Sequence, residues 1–124
     1  MSYKPKQGDI IFLDFNPQTG HETAAKPQRG PVSPPAQRGR LPAIIVSNEQ
    51  YHIRTNLALV CPITNTISDF PMHIKLDNRT NTTGEIMCEQ AKCLDINARN
   101  ASFSESAPED ILDNAIDMIC AIVE

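Results

Sequence analysis

The sequence is poor in aromatic residues. Phe and Tyr together make up 5% of the chain and tryptophan is absent, whereas 40% of the residues are hydrophobic. A core must therefore be built from aliphatic side chains, and the hydrophobic fraction is typical of a folded chain rather than a disordered one. A length of 124 residues suits one domain and is short for two, so we predict a single domain over residues 1–124.

The sequence also lacks a long hydrophobic run. No apolar segment approaches the roughly 20 residues that a membrane-spanning helix needs. The segment Met1 to Gly8 is polar, contains Pro5 and lacks the apolar stretch of a signal peptide. These two absences predict a cytoplasmic protein that does not associate with a membrane.

Several motifs of enzymes and metal sites are missing. The four cysteines form no C-x-x-C pair and lie in or next to apolar runs: Cys61, Cys88, Cys93 and Cys120. This pattern favours reduced cysteines that act as small core residues over disulfides or a zinc site. There is no glycine-rich phosphate loop, no G-x-S-x-G and no H-E-x-x-H motif. We therefore predict neither a metal ion nor another cofactor.

Charge of one sign is missing from two parts of the chain. Residues 23–48 contain no acidic residue but carry four basic ones, Lys26, Arg29, Arg38 and Arg40. Residues 101–124 contain no basic residue but carry six acidic ones. The net charge of −4 is unlike that of a general nucleic-acid binder, yet the basic segment can form a local anion site.

The basic segment is rich in proline and glycine. Five of the ten prolines lie between Pro27 and Pro42, and Gln-Arg-Gly occurs twice. Because this composition suits neither helix nor sheet, we predict a long Pro/Arg-rich loop over about residues 22–41. Two interpretations of its arginines stay open. They are solvated or paired with the acidic end of the chain, or they bind phosphate through the planar guanidinium group.

Hydrophobic periodicity predicts a β-rich chain. Five segments have strand character, the last as one long strand or two with a bend: 9–15, 43–47, 57–64, 72–76 and 84–95. Ser47-Asn48-Glu49-Gln50 has the form of a capping box before a short helix over Asn48 to Arg54. A second capping box, Ser106 to Glu109 with Pro108 in the first turn, precedes a closing amphipathic helix.

Few side chains stand out as chemically active. His21 is followed by Glu22 at the start of the basic segment, and such a pair can transfer protons near neutral pH. We predict that His52 and His73 lie on the surface, as lone polar side chains usually do. Thr64 ends a predicted buried strand, where a hydroxyl commonly bonds the backbone.

Three segments, in order, resemble the MazF/PemK family of toxin endoribonucleases. They are "GDIIFLDFNPQTGHE", "LPAIIVSNEQYHIRTNLALVCPIT" and "GEIMCEQAKCLDINAR". The first carries the family's Gly-Asp opening and its Gly-x-Glu corner, the second its P-x-T strand end, and the third its acidic-Gln segment. The resemblance covers nearly the whole chain outside the Pro/Arg-rich loop.

The resemblance implies an SH3-like β-barrel of the MazF/PemK/CcdB type with a C-terminal helix, working as a homodimer. It implies a toxin of a type II toxin–antitoxin system that cleaves single-stranded RNA, usually mRNA at short sequences, without a metal ion. The 2′-hydroxyl attacks the adjacent phosphate and leaves a 2′,3′-cyclic phosphate. An antitoxin with an acidic tail is the implied partner.

The family's functional residues carry over to matching positions. Thr64 matches the threonine that contacts the scissile phosphate, and His21 and Glu22 match the corner where relatives transfer protons. Further residues match RNA-binding positions: Asn65, Glu89 and Gln90. Glu89 corresponds to an acidic residue that part of the family uses.

The catalytic arginine is the point where this sequence departs from the family. The usual slot, directly before the proline of the second strand, holds Leu41, and Arg40 lies one residue earlier. Strand alternation sends the side chains of residues 40 and 41 in opposite directions. We expect Arg40 to serve first, with Arg38 and Arg29 as the next candidates in the RNA-facing loop.

The departure leaves two alternatives open. A leucine in the arginine slot fits a catalytically weak or inactive member that only binds RNA or its antitoxin. A gyrase-poisoning toxin of similar fold acts by binding a protein and needs no catalytic residues.

Overall fold

The computed structural model describes residues 3–15 and 40–124. Its strands are β1 (Asp9–Asp14), β2 (Arg40–Ile45), β3 (Ala58–Thr64), β4 (His73–Lys75), β5 (Glu85–Met87), β6 (Lys92–Leu94) and β7 (Ser102–Ser106). Its helices are α1 (Glu49–Thr55) and α2 (Glu109–Val123), with a 3-10 turn over Cys88–Gln90. Every predicted strand region overlaps an observed strand, but β2 begins at Arg40, so the prediction of loop was wrong for residues 40 and 41, which pair with β1.

The strands pair antiparallel in the order β4-β5-β3-β2-β1-β7, and β6 pairs with β3 beside this path. Over residues 3–15 and 40–124, no pairing joins the two ends of this order, so the hydrogen bonds describe an open sheet. The mainly β architecture with two helices confirms the coarse fold prediction.

The segment after Gly84 forms two short strands that share one partner. Its first part, β5, pairs with the C-terminal end of β3 through Ile63 and Thr64, and β6 pairs with the N-terminal end through Ala58. The 3-10 turn supplies the bend between them. This confirms the second of the two predicted forms, two strands with a bend.

The central strands are buried on both faces. One face of β1, β2 and β3 packs with α2, where Ile111 and Ala115 are buried against residues such as Ile44. The other face packs with β6 and the segment after it, through Leu94 and Ile96. Alternate residues of each strand therefore enter different cores, which explains the continuous apolar runs in the sequence.

Both predicted helix caps differ from the observed ones. The side chain of Asn48, not Ser47, caps α1 by accepting the Tyr51 N–H at 3.0 Å. The Ser47 hydroxyl instead accepts the Leu59 N–H at 2.9 Å, which ties it to β3. Pro108 occupies the cap position of α2 without a side-chain hydrogen bond, because Ser106 ends β7.

Two further features were not anticipated. Strand β7 has mostly exposed side chains, including Phe103 at 53% exposure, so it lacks an apolar alternation. Its pairing with β1 creates the strand. The four cysteines are free, but only Cys61 and Cys88 are buried, and the prediction of core cysteines was wrong for the other two.

Among the described residues, no helix has the length and apolar character needed to cross a membrane.

Candidate active site

A polar face surrounds the end of β3. Thr64 is the cross-strand partner of Glu85, and Glu85 is in turn the partner of Lys75. Directly paired residues share one face of a sheet, so these side chains lie on the same side. The opposite side at this point carries Ile63 and Ile86, which belong to the core under α2.

Gly84 allows β5 to come this close to Thr64. Its φ is +122°, and a Cβ atom added there would lie 2.1 Å from the Thr64 carbonyl oxygen. No side chain can occupy that space, so only glycine fits. The glycine therefore sets the distance between the Thr64 strand end and Glu85.

Thr64 and Asn65 take part in local hydrogen bonds. The Thr64 hydroxyl accepts the Thr66 N–H at 3.1 Å, as expected for a threonine that ends a strand. Its own hydrogen remains able to donate. The Asn65 side-chain oxygen accepts the Thr83 hydroxyl at 2.8 Å and joins the two chain segments that border the site.

His73 lies between two carboxylates. Its Nδ1 is 2.8 Å from Glu85 Oε1, and its Nε2 is 3.0 Å from Glu89 Oε2. The side chains of His73 and Glu85 are 8% and 0% exposed, whereas that of Glu89 is 26% exposed. The prediction of a surface histidine was therefore wrong. His52, also predicted on the surface, is buried and contacts the Ser47 hydroxyl at 2.6 Å.

The two carboxylates favour the charged form of His73. Burial alone lowers the pKa of His73, but the hydrogen bonds and charges of Glu85 and Glu89 outweigh it, so the pKa is raised. The hydrogen bond with His73 lowers the pKa of the Glu85 carboxyl. Because ionised carboxylates only accept hydrogen bonds, a ring placed between two of them is best satisfied as an imidazolium that donates from both nitrogens.

Apolar side chains border this cluster. The Phe70 ring lies edge-on to His73 with 5.2 Å between ring centroids. Ile67, Phe70 and Met72 are exposed by 64%, 43% and 37% in the segment between β3 and β4. Exposed planar and apolar side chains beside a polar site suit the stacking of nucleic-acid bases.

Arg40 points away from Thr64. Its Nη2 donates to the Phe12 carbonyl and to the Ser102 hydroxyl, both at 2.9 Å, and its Nη1 is 3.5 Å from Asp14 Oδ1. Ser102 lies on β7, which is three strands from β3 in the sheet order, a spacing of about 14 Å. Arg40 and Thr64 are thus not brought together in the free protein.

Leu41 lies on β2 two residues before Ala43, the first residue of that strand that pairs with β3. Ala43 pairs with Pro62, and continuing that register by two residues sets Leu41 opposite Thr64. Both side chains then lie on the same face, and Leu41 is 37% exposed. By this extended register, the slot that the resemblance assigns to arginine faces Thr64, and this chain fills it with leucine.

The other predicted site residues divide into two groups. Glu89 and Gln90 lie on the 3-10 turn, beside His73 and at the surface. Four fall outside the described residues: His21, Glu22, Arg29 and Arg38. Most of the predicted loop at 22–41 falls there as well.

Sequence reasoning missed His73 and Glu85. A signal was available, because the alternation in "MHIKL" sets His73 and Lys75 on one face. The partner of that face, Glu85, becomes visible only through the register with β5. Pairing between distant segments was the missing information.

The fold and the site define a small β-rich protein with a polar site at the end of a buried strand. A model of PemK-like, MazF-like toxins of type II toxin–antitoxin systems matches residues 6–123. The chain belongs to this family.

Relatives and solved structures agree with this assignment. The endoribonuclease toxin MazF of Escherichia coli (strain K12) is 28% identical over 110 residues, covering 88% of this chain and 86% of that protein. The endoribonuclease PemK of Escherichia coli is 26% identical over 122 residues, covering 95% and 81%. MazF from Deinococcus radiodurans has a TM-score of 0.76 at 26% identity, covering 98% and 97%. A MazE–MazF complex from that organism gives 0.77 at 25%, covering 98% and 97%.

Proposed function

We propose that this toxin is a metal-independent endoribonuclease that cleaves single-stranded RNA through a 2′,3′-cyclic phosphate. Family membership supports the proposal, since its relatives are named endoribonuclease toxins. The observation that carries it is the polar face at Thr64, which is the cross-strand partner of Glu85, and Glu85 is joined through the His73 ring to Glu89.

In this proposal Thr64 binds the scissile phosphate. The hydrogen of the Thr64 hydroxyl is available to a phosphate oxygen. The oxygen of the same hydroxyl accepts the Thr66 N–H, which fixes the direction of the hydroxyl group. His21 and Glu22 supply proton transfer to the leaving oxygen. Asn65 and Gln90 contact the RNA beside the cleaved bond.

The cation over the phosphate comes from the Pro/Arg-rich segment. Arg40 is the first candidate for this role by sequence, because it lies one residue before the usual arginine slot. Its contacts with Phe12 and Ser102 favour Arg29 or Arg38 instead. A guanidinium group suits a phosphate because its fork donates two parallel hydrogen bonds. Leu41 beside Thr64 leaves the place of the usual arginine without a charge.

Assembly and fold follow the same family. We infer that residues 1–124 form one domain whose sheet curls into an SH3-like barrel, since β5 and β6 pair with opposite ends of β3 and the central strands are buried on both faces. The toxin is a homodimer in this proposal. In this proposal an antitoxin with an acidic tail blocks the site. Support for an antitoxin partner comes from the solved MazE–MazF complexes of Deinococcus radiodurans.

Cleavage of a labelled single-stranded RNA in the presence of EDTA tests the proposal. We expect cuts that leave a 2′,3′-cyclic phosphate, and no cut where the attacking 2′-hydroxyl is replaced by hydrogen. Substrate that remains intact at high protein concentration would support the binding-only alternative. Inhibition of gyrase without RNA cleavage would support the gyrase-poisoning alternative.

A further inference from the structure

Glu85, His73 and Glu89 form a continuous chain of hydrogen bonds from the protein interior to the surface. We propose that His73 is a positioning residue that holds the Glu89 carboxylate as the general base for RNA cleavage, with Glu85 fixing the histidine from below. This inference rests on the proposed function. It adds two residues, His73 and Glu85, that the resemblance did not supply.

The three side chains follow one another from the interior to the surface in the order Glu85, His73 and Glu89. Nδ1 of the ring faces Glu85, which is fully buried, and Nε2 faces Glu89, which is partly exposed. A buried carboxylate, an oriented imidazole and an accessible acceptor form the same arrangement that fixes ring direction in other hydrolytic sites. Glu89 is the member that can reach a bound RNA, because the other two side chains have little or no exposed surface.

The charge on His73 decides whether Glu89 stays in place. An imidazolium donates to both carboxylates, whereas neutral imidazole has one N–H and can donate to only one. Glu85 also accepts the Ser68 hydroxyl at 3.4 Å, but its side chain is fully buried. Losing the donor from the ring therefore costs Glu85 more than it costs the partly exposed Glu89, which water can solvate. The neutral ring therefore keeps Glu85, and Glu89 loses its hydrogen bond.

Within residues 3–15 and 40–124, few other charges face the ring. Lys75 on β4 is bound to Asp69 at 2.8 Å, so its charge is largely compensated. The 3-10 turn adds the Cys88 thiol, whose pKa is lowered chiefly by its hydrogen bond with Cys61. Ser68 is a neutral neighbour, with its hydroxyl 3.3 Å from Nδ1. Helix α2 packs against the Ile74 side of β4 with apolar residues.

The proposed step is the attack of the 2′-hydroxyl on the adjacent phosphorus. A Glu89 oxygen accepts the proton of the 2′-hydroxyl while the bond between O2′ and phosphorus forms. The bond between phosphorus and O5′ breaks, and O5′ takes a proton from the His21–Glu22 pair or from water. His73 keeps its protons throughout and supplies orientation and positive charge.

Kinetics of His73→Gln and Glu89→Gln, alone and combined, test the proposal on a single-stranded RNA. We expect each substitution to lower kcat by about 10- to 100-fold with KM nearly unchanged, and the double variant to be no slower than Glu89→Gln. The wild-type rate should fall on the alkaline side as His73 loses its proton, and His73→Gln should lack that fall. Glutamine replacing the distant buried His52 serves as control and should keep both rate and pH profile.

Three results would overturn the proposal. They are a double variant whose loss in kcat is the product of the two single losses, a His73→Gln variant with the wild-type rate, and a wild-type rate that stays constant on the alkaline side. An NMR titration of the His73 ring without RNA gives a readout independent of cleavage. We expect its pKa to be raised in the wild type and lower in Glu89→Gln. Equal values would show that Glu89 does not hold the ring. An inactive wild type with the expected titration would refute the proposed function and the catalytic role, but not the contact.

Discussion

Gly84 is the residue that sets how closely β5 approaches Thr64. Replacing it by alanine adds a Cβ atom 2.1 Å from a backbone oxygen at a φ of +122°. We expect a loss of unfolding free energy above the roughly 1–3 kcal/mol that a strained φ alone costs, together with loss of cleavage. Urea unfolding measures the first effect.

Gly8→Ala is the matched control for this prediction. Gly8 also has a positive φ, +94°, but its added Cβ would meet only the flexible end of Leu112, at 3.1 Å. The control carries the backbone strain without the collision. Equal losses in the two variants would show that the close approach at Thr64 is not what requires glycine.

His73 makes stability depend on pH with a known sign. The pKa of His73 is raised in the folded protein, so the fold binds that proton more tightly than the unfolded chain does. Its stabilising contribution is complete below the unfolded pKa of about 6.5 and is lost as pH rises through the folded pKa. The destabilisation caused by His73→Gln should therefore be largest below about pH 6.5 and should shrink as the pH rises through the folded pKa.

Urea unfolding of wild type and variant across this range measures the effect. His52 provides a control of opposite sign, because burial lowers its pKa and protonation therefore opposes folding at low pH. A His73→Gln destabilisation that grows with pH would contradict the assigned charge state.

Arg40 connects secondary-structure elements, because its side chain reaches from β2 across β1 to β7. It bonds the Phe12 carbonyl and the Ser102 hydroxyl, and it faces Asp14. Since the side chain is 40% exposed, we expect Arg40→Ala to lower the unfolding free energy by about 1 kcal/mol. The folded variant should still cleave RNA, which separates this structural role from the proposed roles of Arg29 and Arg38.

Arg40→Lys tests whether the guanidinium fork matters. Lysine keeps the charge but cannot reach two acceptors with fixed geometry, so it should recover only part of the stability. Complete loss of cleavage in a stably folded Arg40→Ala protein would return Arg40 to the catalytic role that the sequence first suggested.

Element types were largely predictable from the sequence because local patterns determine them. Buried strands such as β3 are apolar runs, and the amphipathic α2 follows helical spacing. Strand β7 was not predictable, since its side chains are exposed and only pairing with β1 makes it a strand. The helix caps failed for a related reason: Ser47 and Ser106 were used by neighbouring strands instead.

At the scale of the whole molecule, the site depends on contacts between distant segments. Thr64 was found from a motif, but its companions His73 and Glu85 come from other strands whose register no local pattern specifies. The contrast between a basic segment at 23–48 and an acidic one at 101–124 is a property of composition alone. It permits RNA binding by an acidic protein without identifying the phosphate ligand.

The most direct test compares wild type with Thr64→Val in single-turnover cleavage of a single-stranded RNA in EDTA. Valine keeps the shape of threonine and removes only the hydroxyl, so the folded variant should lose cleavage by about 100-fold or more. Thr55→Val, at the end of α1 and before the opposite end of β3, should cleave at the wild-type rate. A Thr64→Val protein that cleaves as fast as the wild type would contradict the assignment of this strand end as the active site.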